Sequence, residues 1–446
     1  MALGAVTGCT TLLGDFQDGN ATSNKDGGGD ATTGDDGSVD ARMDTVSPEA
    51  APTCTPGGAC STECASGVNA CSDGGLVCHT TANSPDGTQC GTGSTGMCTS
   101  GVCTCPTGQA FCSSTCVATA NDDSNCGFCG HTCGAGSTCS TGFCTPVSVC
   151  TGAGSGPMWA VGTNLVLIEF NALDLCDLTA TGAAATQYYR DPLNGLSFTS
   201  LSGDSTIAYF TSHDVTVDTN SLLSTDGTEA NTFDVEGYPS VYASTYVTTT
   251  TDSKTGSVFT ALQTSVELQE LSQATDAGIP SRTCIDNIGS LRGIAAAGGD
   301  VFVADGTGNE IITATATSDT SCSSSTITAE GLSSPGELAT DGTIIAFADS
   351  NGIYSCTASL GCIPRMSPTP LVTGQGAITQ IAIDQVTPPN LYWIGPMGIA
   401  TCSSSATICD NKPNVLIPNA SDADAVMVDS TYVYYLEGGI LYKVAK

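Results

Sequence analysis

A three-strand pattern repeats through the C-terminal two thirds of the chain, and it restricts the fold more than any other feature. Its clearest copy closes the sequence: Ala425 to Val428, a polar turn, Tyr432 to Leu436, a glycine turn, then Ile440 to Val444. One such sheet has no second layer against which to bury its apolar face, so copies must stack. The second strands read Leu165 to Glu169, Thr206 to Phe210, Tyr246 to Thr250, Asp300 to Ala304, Thr343 to Phe347, Asn390 to Ile394 and Tyr432 to Leu436. Their centres recur about every 44 residues, with the interval between the third and fourth copies about ten residues longer. Strand-rich units at that period predict an all-β fold, a propeller of four-stranded blades. Seven copies predict seven blades. The alternative is six, with residues 158–190 as an oversized closure.

Third strands follow tight turns, as in Asn351 to Cys356 and Met397 to Cys402, and outer strands read Thr369 to Thr373 and Asn414 to Pro418. Proline is tolerated in an outer strand because one edge faces solvent. The last copy stops after its third strand. Pro146 to Val149, just ahead of the first copy, is expected to supply the missing outer strand and close the ring.

The remainder is different material. The chain has 446 residues and its composition changes twice, so several regions are expected. Residues 54–144 hold 16 of the 25 cysteines, no Lys or Arg, and few large apolar side chains. Burial cannot hold such a segment together, so disulfides must, in an oxidising compartment. Residues 10–53 carry nine acids and two bases among Gly, Ser, Thr and Ala, the composition of a disordered acidic linker. The organisation read from this is a truncated lipoprotein signal at 1–9, the linker at 10–53, cysteine-rich modules at 54–104 and 105–145, and the propeller at 146–446. No run of 18 apolar residues suggests a membrane span. With 44 acidic residues against 10 basic ones, the net charge of -34 repels phosphate backbones, which argues against a nucleic-acid partner.

Three resemblances add to this reading. Val6-Thr-Gly-Cys9 resembles the bacterial lipobox, which implies lipidation of Cys9 and attachment to the outer membrane or cell surface; a soluble extracellular protein is the alternative. Asp123-Ser-Asn-Cys126-Gly-Phe-Cys129-Gly-His-Thr-Cys133, continuing through Cys139 to Cys144, resembles the plant stigma-specific cysteine-rich family and cysteine-rich segments of secreted myxobacterial proteins. That implies an extracellular interaction module without catalytic residues. Gly293 to Ile312, with Asp305 and Asn309 about the turn, resembles the NHL-type propeller repeat, and Asp349-Ser-Asn351 fits it in part. An aspartate at such a position accepts backbone N–H bonds and fixes the turn.

Candidate chemistry is sparse. Cys126, Cys129, Cys133 and Cys139 offer zinc-like spacing, but among so many cysteines the disulfide reading prevails and no metal site is assigned. In the propeller, Cys356 with Cys362 and Cys402 with Cys409 occupy matching places after two third strands and are expected to staple their blades. Cys284 with Cys322 and Cys150 with Cys176 remain as pairs. His79 and His131 read as exposed loop residues, and His213 as a turn residue beside Asp214. No catalytic residue emerges. The expectation is a non-enzymatic surface lipoprotein that binds a protein or carbohydrate ligand and needs no cofactor. The alternative is a calcium-dependent hydrolase or lyase acting at the central channel.

Overall fold

The computed structural model describes residues 59–446, apart from 73–74, 170, 191–195, 204–206, 215–218, 226–231, 235–247, 253–256, 262–264, 270–280, 319–320, 363–364, 405–408 and 410–413. The described residues are strands, turns and loops. No helix occurs among them, and hence none long and apolar enough to cross a membrane. Two compact units emerge, one within residues 16–130 and one within 131–446.

Short sheets and many cross-links make up the first unit. Ala59–Thr62, Ala65–Ser72 and Gly75–Asn83 form one antiparallel sheet, Gln89–Cys90, Gly96–Thr99 and Val102–Thr104 a second, and Ala110–Cys112 pairs with Thr115–Val117. Disulfides join Cys60 to Cys78, Cys64 to Cys98, Cys90 to Cys103, Cys105 to Cys116 and Cys112 to Cys129. Val68, Val77, Met97, Val102 and Phe128 remain 46–64% exposed, so apolar burial is not what holds the unit. Its core is sulfur instead: Cys64, Cys90, Cys98 and Cys103 cluster, with Phe111 packed against them. Each bond restricts the unfolded chain by about 2–4 kcal/mol. Gly96 shows how tightly the bridges pack. A β-carbon there would lie 2.7 Å from the Cys103 sulfur and 3.1 Å from that of Cys90.

Within the second unit the described strands form a small two-stranded sheet, Cys139–Ser140 with Phe143–Cys144, and seven larger sheets, each of these named here from its first strand outward. They are Met158–Val161, Asn164–Glu169, Ala172–Asp177 and Thr186–Arg190; Leu196–Gly203, Ala208–Asp214, Thr219–Thr225 and Thr232–Asp234; Thr248–Asp252, Ser257–Ala261, Val266–Gln269 and Ser281–Ile285. Next come Leu291–Ala297, Asp300–Asp305, Glu310–Ser318 and Thr326–Glu330; Leu338–Thr340, Ile344–Asp349, Gly352–Thr357 and Val372–Thr373; and Gln380–Ile383, Asn390–Gly395, Gly398–Ser403 and Asn414–Pro418. The seventh sheet holds Ala425–Val428, Tyr432–Glu437 and Ile440–Ala445, with Val147–Thr151 paired antiparallel to the last of these. Each first strand packs beside the first strand of the next sheet, and Ala425–Val428 packs back against Met158–Val161. This cyclic order is that of a β-propeller.

Side-chain alternation explains the stacking. On Asn164–Glu169, Leu165 and Leu167 pack toward Met427 and Leu436 of the seventh sheet, while Val166 and Ile168 pack toward Phe198, Leu201 and Phe210 of the second. A strand buried on both faces needs a continuous apolar run, which these second strands supply. Closure comes from Val147–Thr151, where Val149 is fully buried.

Several expectations require adjustment. Thr248–Asp252 is the first strand of its sheet, and the second is Ser257–Ala261; Tyr246 lies outside the described residues. With the second strand at Ser257–Ala261, the overlong interval before Asp300–Asp305 disappears. The β-branched run Thr248 to Thr251 has strand propensity but no apolar alternation to show its place in the sheet. The outer strand expected at 369–373 shrinks to Val372–Thr373. Residues 158–190 supply the four strands of the first sheet, and Ala183–Ala184 from the same stretch pairs parallel with Val147–Thr151 of the seventh.

Candidate functional site

In sheets so connected, the turn between second and third strands lies at the same end as the connection into the first strand. Carboxylates brace that end. Asp305 accepts hydrogen bonds from the backbone N–H groups of Thr307 (2.9 Å) in its own turn and of Gly289 (3.0 Å) and Ser290 (2.9 Å) in the connection. Burial pushes its carboxyl up, but the backbone donors of Gly289, Gly308, Thr307 and Ser290 together outweigh that and hold it below the usual carboxylate range. Asp349 accepts from the N–H groups of Asn351 (2.7 Å), Ser333 (2.9 Å) and Gly352 (3.1 Å), and from the Tyr354 hydroxyl (3.1 Å). Both side chains serve as turn braces, the role the sequence assigned them.

The opposite end uses aspartates that the sequence reading did not single out. Asp341 accepts from the N–H groups of Thr343 and Ile344, each at 2.8 Å. Asp429 accepts from Tyr432 N–H (2.6 Å), Thr431 N–H (2.7 Å) and the Tyr434 hydroxyl (2.9 Å). Asp384, 2% exposed, accepts from Asn390 N–H (2.8 Å), the Tyr392 hydroxyl (3.1 Å) and the Lys446 ammonium (2.9 Å). Burial first, and then the neighbouring aspartate, pushes the Tyr392 and Tyr434 phenols up. An acid after the first strand with an aromatic at the third position of the second was the available signal: Asn390-Leu-Tyr392 and Tyr432-Val-Tyr434.

At the first end a cavity of about 350 Å³ is lined by Ser334, Glu337, Asp349, Ser350, Ala377 and Ile378. Glu337 directly precedes Leu338–Thr340, and its carbonyl accepts from Ala348 N–H at 3.0 Å. The residue keeps some exposure toward the cavity while protein encloses its carboxyl elsewhere. Burial pushes this carboxyl up to about 8, so near neutral pH it holds its proton and can donate a hydrogen bond. Glu310, at the same end, is also raised, by burial, then by Asp305 and Glu330. The chemistry on offer is a neutral donor among small side chains, in an acidic setting.

The other expected residues fall out as follows. Disulfides join Cys356 to Cys362, Cys402 to Cys409, Cys284 to Cys322 and Cys150 to Cys176. In the first two pairs a third-strand cysteine is tied to one a few residues beyond the strand, whereas Cys284–Cys322 and Cys150–Cys176 each join neighbouring sheets. Among the described residues, the groups of three or more His, Cys, Asp or Glu side chains with converging ligand atoms consist of half-cystines. Cys129 is bonded to Cys112 and Cys133 to Cys144, so the zinc-like spacing there serves cross-linking. His131 is 6% exposed rather than on an open loop, with Nε2 3.5 Å from the Ala445 carbonyl oxygen. His79 is exposed but lies on the strand Gly75–Asn83, and His213 lies on the strand Ala208–Asp214 instead of a turn. Cys9 is outside the described residues.

No protein-family model matches the chain, and no curated protein matches it. Among solved structures, virginiamycin B lyase from Staphylococcus aureus is 12% identical with a TM-score of 0.48, the match covering 65% of this chain and 94% of that one. PorZ, a surface component of the type-IX secretion system of Porphyromonas gingivalis, is 12% identical with a TM-score of 0.47, covering 66% of this chain and 46% of that one. The WD40 β-propeller domain of Doa1 is 10% identical with a TM-score of 0.45, covering 68% and 93%. Identities this low transfer neither an activity nor a ligand.

Proposed function

We infer that this is an exported, non-enzymatic binding protein whose seven-bladed propeller grips a protein or glycan ligand, with lipidation at Cys9 holding it to the outer membrane or cell surface. The cyclic succession of seven first strands supports the blade number. Numerous disulfides support an oxidising location outside the cytoplasm. The observation that carries the binding reading is the cavity beside Glu337. Its protonated carboxyl and the hydroxyls of Ser334 and Ser350 are groups that hydrogen-bond sugar hydroxyls or peptide amides, while Asp349 is committed to its turn.

A glycan array and a pull-down with the full chain test this, alongside Ala377→Trp, which fills the cavity, and Glu337→Leu, which removes the donor. The expected result is a ligand retained by the wild type and lost by both variants. The absence of a ligand on either platform, together with calcium-dependent turnover of a lactone, would overturn the reading in favour of a propeller hydrolase or lyase. Anchoring is tested separately by mass spectrometry of the membrane fraction: an acylated Cys9 peptide supports it, and a chain found only in soluble form refutes it.

A further inference from the structure

A second cavity, of about 270 Å³, lies along the seam between the segment leading into Val147–Thr151 and the last two sheets of the propeller. Phe143, Pro146 and Pro418 contribute apolar walls, Thr141 a hydroxyl, and Tyr435 and Glu437 reach it from the second strand of the seventh sheet. Tyr435 is 3% exposed and stacks on Tyr442 with ring centroids 5.1 Å apart. Its hydroxyl, however, has no hydrogen-bond partner among the described residues. Tyr435 is among the cavity's lining residues, so a group that enters there can meet this hydroxyl.

The charge around the cavity has one sign. Glu437 sits beside Asp422 and Asp424, and burial followed by these two carboxylates pushes its own carboxyl up. No Lys or Arg lines the cavity. Mutual repulsion of this kind is relieved by a counter-charge, and aromatic faces add attraction for a cation. The volume suits one long side chain and is too small for a folded element.

We propose that this seam is a docking pocket for a basic side chain, Arg or Lys, carried on an extended segment of a partner protein. The side chain's stem packs on Phe143 and the prolines, its charged head pairs with Glu437, and the Tyr435 hydroxyl accepts a hydrogen bond from it. The net charge of -34 steers basic partners toward the protein from any direction, whereas the pocket supplies the register. This site is separate from the cavity beside Glu337, and its occupation requires nothing there.

The test uses the full chain and a fluorescently labelled hexapeptide, Gly-Ser-Arg-Gly-Ser-Gly, against the same peptide with citrulline in place of arginine. Citrulline keeps the shape and removes the charge. Binding of the arginine peptide is expected to weaken about tenfold or more in Glu437→Gln and several-fold in Tyr435→Phe, as for loss of charge-assisted and neutral hydrogen bonds. The distant Asp341→Asn is expected to bind like the wild type. Retained thermal unfolding temperatures separate lost binding from lost folding. Equal affinity for both peptides, equal weakening by Asp341→Asn, or displacement of the peptide by a neutral oligosaccharide would each overturn the proposal.

Discussion

Glu337 offers the sharpest quantitative test of the propeller's interior. Its carboxyl is raised from an ordinary 4.5 to about 8 by burial. A group whose folded-state pKa is raised in this way favours folding while it stays protonated. Its contribution is therefore complete below about pH 4.5, declines as pH rises, and levels off above about pH 8. At about 1.4 kcal/mol per unit, the full shift corresponds to up to about 5 kcal/mol. Water reaching the carboxyl through the cavity screens part of this, so about 2–3 kcal/mol is the expected loss between pH 5 and 9. Glu337→Gln keeps the shape and removes the titration.

The assay is guanidinium unfolding followed by tryptophan fluorescence. Both tryptophans, Trp159 and Trp393, are 1% exposed and lie in propeller sheets, so the signal reports this unit and not the cysteine-rich one. Other carboxyls titrate as well, but they do so in both proteins, and the difference between wild type and variant isolates Glu337. The variant is expected to gain on the wild type as pH rises, by about 2–3 kcal/mol at pH 9. A wild-type-to-variant difference that stays flat with pH would refute the claim that this carboxyl is held protonated.

Three further outcomes follow from the same reasoning. Val149→Asp places a carboxylate at a fully buried position of the closing strand and should destabilise the propeller by about 3–5 kcal/mol in the same fluorescence assay; a change under about 1 kcal/mol would mean the closure is dispensable. Lys446→Met removes the cation 2.9 Å from the buried Asp384, which keeps its Asn390 and Tyr392 donors, so a loss of about 1–3 kcal/mol is expected on denaturant unfolding, and no loss would show the terminus to be loose. Gly96→Ala drives a methyl group against the sulfurs of Cys103 and Cys90. Peptide mapping of that variant should show the Cys90–Cys103 bridge scrambled or incomplete, and an intact bridge would contradict the packing described.

Much of the architecture was legible because its cause is local. A strand sandwiched between two sheets must be apolar on both faces, so runs such as Leu165 to Ile168 and Leu391 to Ile394 announce themselves and their spacing. Where that signal lapses, in Thr248 to Thr251, the residues do not reveal that they form a first strand and not a second. The turn aspartates 305 and 349 were visible because their partners lie mostly in adjacent turns. His131 was not, because its burial depends on Ala445, more than three hundred residues away. Glu337 was not singled out either, since nothing in Pro335-Gly-Glu-Leu338 marks an acid whose carboxyl will be enclosed by another sheet's connection.

The sequence by itself determined that the described residues are built of strands without helices, that the cysteine-rich region rests on disulfides, and that the last repeat takes its outer strand from ahead of the first. These follow from periodicity and composition, which act within a few residues. Only the tertiary structure decided which side chains share a cavity, which acids brace turns and which are pushed toward holding a proton, and that Tyr435 lines a cavity. Such properties depend on desolvation and on contacts between distant strands, and those exist only once the sheets have stacked.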